Sequence, residues 1–160
     1  MRILFLCTGN SCRSQMAEGL LRWQGGSVVE VASAGMDPRP VHPFAVRVMS
    51  EIGLDISRQT SKSVEPFLAE RFDYVITLCE AAKEACPIFP GEARRLHWDL
   101  PDPAAAGGSE QERLEAFRRV RDQLAARIEE LLGEILEEFL RRLAQETDHA
   151  LPGALARETA

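Results

Sequence analysis

The feature that most constrains the fold is a junction near the N-terminus, where a strand pattern turns directly into a helical pattern. Residues 2–7, RILFLC, form a continuous apolar run that is typical of a fully buried strand. A loop of small polar residues, TGNSC, follows, and apolar side chains then recur at helical spacing over residues 14–23 until a GG pair. This junction predicts a strand, a tight loop and a helix in direct succession.

The same alternation of strand and helix patterns continues along the chain. Further strands are predicted at residues 27–35, 73–79 and 93–98, and further helices at 44–52 and 64–72. The alternation predicts an α/β fold, a parallel four-stranded sheet flanked by helices on both faces. In such sheets the functional site lies beyond the carboxyl ends of the strands. Because Cys7 and Cys79 each end a predicted strand, we expect both thiols at this edge.

A long helix is predicted from Ser109, which forms a capping box with Glu112. Its apolar stripe consists of Leu114, Phe117, Leu124, Ile128, Leu131, Ile135, Phe139 and Leu143. We divide the chain into a catalytic domain, residues 1–132, and a C-terminal helical extension and tail, residues 133–160. The last residues, ALPGALARETA, are expected to fray. We expect the extension to pack on the core of a monomer, and dimer formation through the extension is the alternative.

Charge and segment length exclude several classes of function. The formal net charge of −6 argues against binding to nucleic acid or to an anionic membrane. No apolar segment is long enough to span a bilayer, and MRILFLC is too short an apolar stretch for a signal peptide. We therefore expect a cytoplasmic protein.

The cysteines carry the next constraint, because structural disulfides are rare in the cytoplasm. The four cysteines should therefore be free, metal-bound or redox-active. No C-x-x-C pair exists and the three histidines are scattered, so a structural zinc site fits poorly. We expect no metal and no cofactor.

The segment from Cys7 to Arg13 reads C-x5-R and has the composition of an anion-binding loop. Its small residues let backbone N–H groups turn toward one centre, and the helix that follows adds its N-terminal dipole. Arg13 supplies a planar fork for two oxygens of a tetrahedral anion. The same positive field favours a nucleophilic thiolate at Cys7, to which Ser14 can donate a hydrogen bond. The predicted oxyanion-binding residues are Thr8, Gly9, Asn10, Ser11, Cys12, Arg13 and Ser14, with Cys12 serving through its backbone.

Cys79 and Cys86 lie seven residues apart. On a rigid helix this separation is about 10 Å. Disulfide formation requires Cα atoms within about 7 Å. A bridge between these cysteines therefore requires the segment to bend or unwind, as a thiol relay would need. Two unrelated buried cysteines are the alternative.

Two acids, Asp99 and Asp102, lie in the proline-rich stretch HWDLPDP. An acid on a loop near the anion site can protonate a leaving oxygen. Asp102, which precedes Pro103, is the better candidate, and a turn residue is the alternative.

The stretch CTGNSCRSQMAEG resembles the anion loop of thioredoxin-coupled arsenate reductases, which share the fold of the low-molecular-weight tyrosine phosphatases. The resemblance continues through SAG, DISRQTS, VITLC, ACP, HWDLPDPA and FRRVRDQL, and covers roughly residues 2–130. The later cysteines are its most specific part, because phosphatases of this fold do not need them.

The resemblance implies reduction of arsenate to arsenite, a reaction of arsenic detoxification, with phosphate or sulfate as competing oxyanions. It implies that Cys7 attacks arsenate held by the loop and Arg13, while Asp102 protonates the departing oxygen. Cys79 then attacks Cys7 and releases arsenite. Cys86 attacks Cys79, and thioredoxin, as electron donor, reduces the Cys79–Cys86 bridge.

One part of the resemblance departs from the family pattern. Some relatives bind a potassium ion through residues that match Asn10, Glu18 and Ser33. Their fourth ligand, an Asp, corresponds to Lys62 here. Because an ammonium group disfavours a neighbouring cation, we expect Lys62 to replace the ion electrostatically.

Two other functions compete with arsenate reduction. A phosphatase acting on phosphotyrosine or small phosphate esters uses the same Cys7, Arg13 and Asp102, but its later cysteines would be idle. The AAA that follows the DP pair also offers no aromatic side chain to hold a phenyl ring. A non-catalytic sensor of trivalent arsenic uses thiols as soft ligands, yet it needs neither Arg13 nor Asp102.

Overall fold

The sheet consists of four parallel strands in the order β2-β1-β3-β4. A computed structural model describes residues 1–149 of the chain. The strands are β1 (Arg2–Cys7), β2 (Glu30–Gly35), β3 (Tyr74–Thr77) and β4 (Arg94–His97). Strand β1 is central, and its last five residues are buried. The predicted α/β class with a parallel four-stranded sheet is confirmed.

Four helices and three short 3₁₀ turns connect and cover the strands within the described residues. The helices are α1 (Arg13–Gly25), α2 (Pro43–Ser50), α3 (Glu80–Glu84) and α4 (Glu110–His149). The 3₁₀ turns are Gly26–Val28, Glu65–Phe67 and Pro103–Ala105. Helix α1 begins directly after the loop that follows β1, so the predicted strand, loop and helix succession is present.

Three predicted elements differ from the structure. The third strand ends at Thr77 rather than at Cys79, which instead precedes α3. The second strand begins at Glu30 rather than at residue 27, because Gly26 adopts φ +54° and opens a 3₁₀ turn. The predicted helix over residues 64–72 is wrong, since only the turn Glu65–Phe67 is helical. So short a segment does not recover the cost of helix nucleation.

The chain divides into two compact units, Met1–Ile128 and a second that begins at Glu129. In the predicted apolar stripe Leu131 is buried, whereas Phe139 is 57% and Leu143 43% exposed. The expected packing of the extension on the core stays a prediction. The functional boundary at residue 132 stays a prediction, and the predicted frayed tail, residues 150–160, lies outside the described residues. None of the helices in residues 1–149 is long and apolar enough to cross a membrane.

Candidate active site

The loop between β1 and α1 is organised around the side chain of Asn10, which is fully buried. Its amide nitrogen donates to the hydroxyls of Ser14 (2.8 Å) and Ser33 (2.9 Å). Its amide oxygen accepts from Gln15 Nε2 (3.1 Å) and from the backbone N–H of Lys62 (2.8 Å). All four hydrogen-bonding positions of the amide are therefore used. Asn10 also adopts φ +46°, a left-handed conformation that asparagine tolerates better than most residues.

Cys7 ends β1 beneath this loop and is 3% exposed. The backbone N–H of Asn10 donates to its sulfur at 3.2 Å, and Ser14 Oγ lies 2.8 Å from the sulfur. Because Ser14 Oγ already accepts from the Asn10 side chain, its own proton is free to point at Cys7. Two donors on one sulfur form an arrangement that suits a thiolate nucleophile.

The carbonyl groups of the loop are bound by neighbouring segments. Ser61 Oγ and Gln15 Nε2 both donate to Asn10 O, at 2.8 and 3.0 Å. Three further backbone pairs are Asp37 N to Thr8 O, Arg39 N to Gly9 O and His42 N to Ser11 O, at 2.8–2.9 Å. Since these carbonyls are held from outside, the loop keeps peptide N–H groups for an anion at its centre.

Gly35, the last residue of β2, lets this strand approach the loop closely. A methyl group added at Gly35 would lie 2.7 Å from Thr8 O and 2.9 Å from Asn10 N. Both distances are far below van der Waals contact, and the atoms belong to the backbone. Any side chain at Gly35 would therefore displace the anion loop.

Arg13 and Asp102 are placed by the same proline-rich loop. Arg13 is the first residue of α1, and its Nη1 donates to Leu100 O at 3.0 Å. Asp102 is exposed, and its Oδ1 accepts from Ala104 N at 3.0 Å, which caps the turn Pro103–Ala105. The arginine thus ties the acid-bearing loop to the start of α1.

Cys12 lies within the anion loop but is buried and protonated. Burial raises the pKa of its thiol to about 11, and the negative charge of Asp102 adds to the rise. At neutral pH this group is a poor nucleophile.

Cys79 and Cys86 lie at the two ends of α3. Cys79, which is 7% exposed, precedes the helix, and its Sγ is 3.5 Å from Thr8 Oγ1 in the anion loop. Cys86 is half-buried, and burial raises the pKa of its thiol. The helical hydrogen bonds include Lys83 N to Cys79 O at 3.0 Å and Cys86 N to Lys83 O at 3.4 Å. The structure therefore brings Cys79 to the loop that follows Cys7. Cys86 lies beyond the opposite end of α3, more than one helical turn from Cys79.

The predicted cation site holds a positive side chain. Lys62 Nζ lies 3.5 Å from Glu18 Oε2 and donates to Thr60 O at 2.8 Å. Ser33 donates to the same Oε2, and Arg22 pairs with Oε1 at 2.6 Å. With two cationic groups on this buried carboxylate, the residues do not fit a potassium ion. Across residues 1–149, no group of three or more His, Cys, Asp or Glu side chains is suited to a metal ion.

Three residues of the site escaped the sequence reasoning. Gln15 and Ser61 hold the carbonyl side of the loop, and Gly35 makes room for it. The signal that could have pointed to Gln15 was its place in the sequence, directly after the anion loop and beside Met16 of the apolar face. Ser61 had no signal, because its role depends on a contact 51 residues away along the chain.

Comparison with known proteins assigns the chain to a protein family. The family model for the low molecular weight phosphotyrosine protein phosphatases matches residues 2–145, and the chain belongs to this family. Relatives with the same overall similarity include proteins named arsenate reductase. One, from Halalkalibacterium halodurans, is 49% identical over 126 residues, which cover 79% of this chain and 91% of the relative.

Solved structures give the same result. An arsenate reductase in the phosphate binding state is 38% identical with a TM-score of 0.68, over 84% of this chain and 98% of that one. The thioredoxin-dependent arsenate reductase of Corynebacterium glutamicum is 32% identical with a TM-score of 0.68, over 86% of this chain and 62% of that one. Within the phosphatase family, the chain is thus similar to arsenate reductases over most of its length.

Proposed function

We propose that this enzyme reduces arsenate to arsenite through a relay of Cys7, Cys79 and Cys86, and that thioredoxin regenerates the thiols. The observation that carries the proposal is the contact between Cys79 Sγ and Thr8 Oγ1, at 3.5 Å. It brings a second thiol to the loop that holds the first. Cys86, one helical turn away and more accessible, is suited to pass the oxidation outward.

The first step forms a bond between Cys7 sulfur and arsenic. The loop N–H groups and Arg13 hold the oxyanion, and one arsenate oxygen leaves as water after Asp102 supplies a proton. The turn-capping bond of Asp102 uses only Oδ1, so its second oxygen is available for that proton. Arsenic remains pentavalent in this step.

The next steps move two electrons. Cys79 attacks the Cys7 sulfur, the S–S bond forms, and the S–As electron pair stays on arsenic, which leaves as arsenite. Cys86 then attacks Cys79, so that the Cys7–Cys79 bond breaks and the Cys7 thiolate is restored. Thioredoxin reduces the Cys79–Cys86 disulfide and becomes oxidised. This cycle suits the cytoplasm, where thiols are kept reduced, and requires no second copy of the chain.

Lys62 has an electrostatic role in this proposal. Its ammonium lies beside Glu18, which also accepts a hydrogen bond from Ser33, and Ser33 in turn accepts one from Asn10. We therefore expect turnover to be equal in potassium and sodium salts. Lys62→Asp, which restores the acidic residue of potassium-binding relatives, should make turnover rise specifically with potassium. A potassium response in the wild type that persists unchanged in Lys62→Ala would contradict this role.

Phosphate ester hydrolysis is the second candidate function. The family match and the shared Cys7, Arg13 and Asp102 favour it, because phosphate and arsenate have the same shape and charge. The residues after Asp102 and Pro103 are three alanines, which offer no ring to hold a phenyl group. We expect this activity to be weak.

The deciding experiment follows NADPH consumption with thioredoxin and thioredoxin reductase, with and without arsenate. Wild type should consume NADPH only when arsenate is present. Cys86→Ser should lose sustained consumption, yet it should still release about one arsenite per chain and accumulate a Cys7–Cys79 disulfide, because only the last transfer is blocked. Arsenate-independent aryl phosphate hydrolysis that survives Cys86→Ser, without any NADPH consumption in the wild type, would instead indicate a phosphatase.

A further inference from the structure

Two side chains of the edge strand β4 contact the segment that carries the relay cysteines. We call residues 79–87 the redox segment. Arg95 and His97 alternate along β4 and therefore share one face of the sheet. His97 Nε2 lies 3.3 Å from Glu80 Oε2, at the start of the redox segment, within ion-pair distance but without the geometry of a hydrogen bond. Arg95 Nη2 donates to Pro87 O at 2.9 Å, at its end.

A hydrogen bond to the neighbouring strand fixes the orientation of the His97 imidazole. Its Nδ1 is 2.8 Å from the hydroxyl of Thr77, which lies directly opposite on β3. This contact aims the other ring nitrogen, Nε2, at the first residue of α3. Glu80 also lies 3.5 Å from Lys83 Nζ within the same helix, so the carboxylate links β4 to the first turn.

Arg95 acts at the Cys86 end. The Pro87 carbonyl that it binds is also the partner of the Cys86 thiol, at 3.6 Å. Burial raises the pKa of Cys86, and the positive charge of Arg95 opposes the rise. The guanidinium therefore fixes the position of Cys86 while the segment is reduced.

We infer that Arg95 and His97 form a clamp that holds the redox segment helical and thereby makes the Cys79–Cys86 disulfide easier to reduce. The inference rests on the proposed relay. Across a helix the two cysteines are about 10 Å apart along the axis. A disulfide needs Cα atoms within about 7 Å, so the helix must open and the clamp contacts must break. Contacts present only in the dithiol stabilise it, which raises the reduction potential of the pair.

The clamp has a chemical consequence for the last two steps of the cycle. When Cys86 attacks Cys79 of the Cys7–Cys79 disulfide, one S–S bond forms and one breaks, with no net oxidation. When a dithiol donor then reduces the Cys79–Cys86 bond, the segment regains its helix and its contacts with β4. The clamp thus favours return to the reduced enzyme, and Arg95 and His97 are positioning residues rather than catalytic ones.

The test compares the full-length wild type with the double variant Arg95→Gln, His97→Gln in glutathione redox buffers. Oxidation of Cys79 and Cys86 transfers two electrons and two protons to glutathione disulfide, which yields two glutathione thiols. Alkylation and mass spectrometry of the linked peptides give the fraction oxidised. Removal of the clamp should raise the equilibrium constant for oxidation about tenfold, which corresponds to a potential about 30 mV lower. Arg94→Gln is the matched control, because Arg94 faces the other way and lies over the Tyr74 ring.

A second pair of variants leaves β4 intact. Glu80→Gln should shift the equilibrium in the same direction by about threefold, whereas Glu84→Gln on the same helix should not. Thermal unfolding checks that every variant is folded. The clamp would be overturned if the double variant and Arg94→Gln had equal equilibrium constants for oxidation. It would also be overturned if no buffer produced a Cys79–Cys86 disulfide. Arsenate added to the reduced wild type tests the relay separately, since failure to form that disulfide with arsenate alone would overturn the relay and leave the glutathione result standing.

Discussion

At the scale of single residues, Asn10 determines the geometry of the anion loop. Its side chain links the loop to α1, to β2 and to the segment at Lys62. The amide is buried and fully hydrogen-bonded, so no smaller residue can replace it without leaving polar groups unpaired. One side chain therefore couples the stability of the loop to its ability to hold an anion.

Replacement of Asn10 should consequently cost both stability and activity. Asn10→Ala leaves several buried groups without partners, and we expect the free energy of unfolding to fall by about 3 kcal/mol. Turnover of arsenate should fall at least tenfold. Urea unfolding and the coupled assay measure the two effects. Ser11→Ala, one residue along the loop, is the control and should cost less than about 1 kcal/mol.

Cys12 predicts a pH dependence of stability. Burial raises the pKa of its thiol from 9.0 to about 11, so between these values the unfolded chain loses a proton that the folded chain retains. The free energy of unfolding should therefore be unaffected below pH 9 and should fall above it, by about 2–3 kcal/mol in total at pH 11. The measurement is the difference between wild type and Cys12→Ala at a series of pH values. A difference that stays constant from pH 8 to pH 11 would show that the thiol is not buried as described.

At the scale of elements, glycines in two helices should respond in opposite ways to the same substitution. A Cβ at Gly19 in α1 would lie 2.6 Å from Ile56 Cγ2 and 3.2 Å from Met49 Cε, whereas a Cβ at Gly133 in α4 meets nothing within 4 Å. Helix α1 thus packs closely because it has glycine at this point. Alanine is intrinsically the better helix former at both positions.

We therefore expect Gly133→Ala to stabilise the protein by about 0.5–1 kcal/mol. Gly19→Ala should destabilise it by about 1–2 kcal/mol, because overpacking outweighs the gain in helix propensity. Thermal unfolding of the two variants against the wild type provides the measurement. Stabilisation by Gly19→Ala would mean that the neighbouring side chains yield without cost.

At the scale of the whole molecule, every residue of the proposed cycle belongs to the unit Met1–Ile128. The match to the Halalkalibacterium halodurans relative spans 126 residues, 79% of this chain. The second unit carries an exposed apolar face formed by Leu136, Phe139, Leu140 and Leu143. The chemistry and this exposed face are thus assigned to different units.

A chain that ends at Gly133 should accordingly keep the proposed arsenate reductase activity within about twofold, since no group in the proposed cycle is removed. The coupled assay and sedimentation of both chains provide the comparison. A tenfold loss of turnover in a folded, truncated chain would show that the second unit contributes to catalysis.

The sequence predicts those parts of the fold and site that depend on local pattern. The apolar run that ends at Cys7 and the small residues after it give the β1-loop-α1 junction, and the spacing of the strands gives the parallel sheet. The helix predicted over residues 64–72 was wrong outside the turn Glu65–Phe67, because backbone preference is weak over so few residues. The loop carbonyl partners at residues 37–42 and the contacts of β4 with α3 depend on the tertiary arrangement, and no local pattern encodes them.

The three cysteines of the proposed relay are progressively more exposed, from Cys7 at 3% through Cys79 at 7% to the half-buried Cys86. This gradient separates two tasks that conflict sterically, because a pocket that closes around a four-oxygen anion has no room for a second protein. In the proposed cycle the oxidation travels outward to a partner that never enters the pocket. Substitutions around Cys7 can therefore change the substrate, and substitutions around Cys86 can change the reductant, without affecting each other.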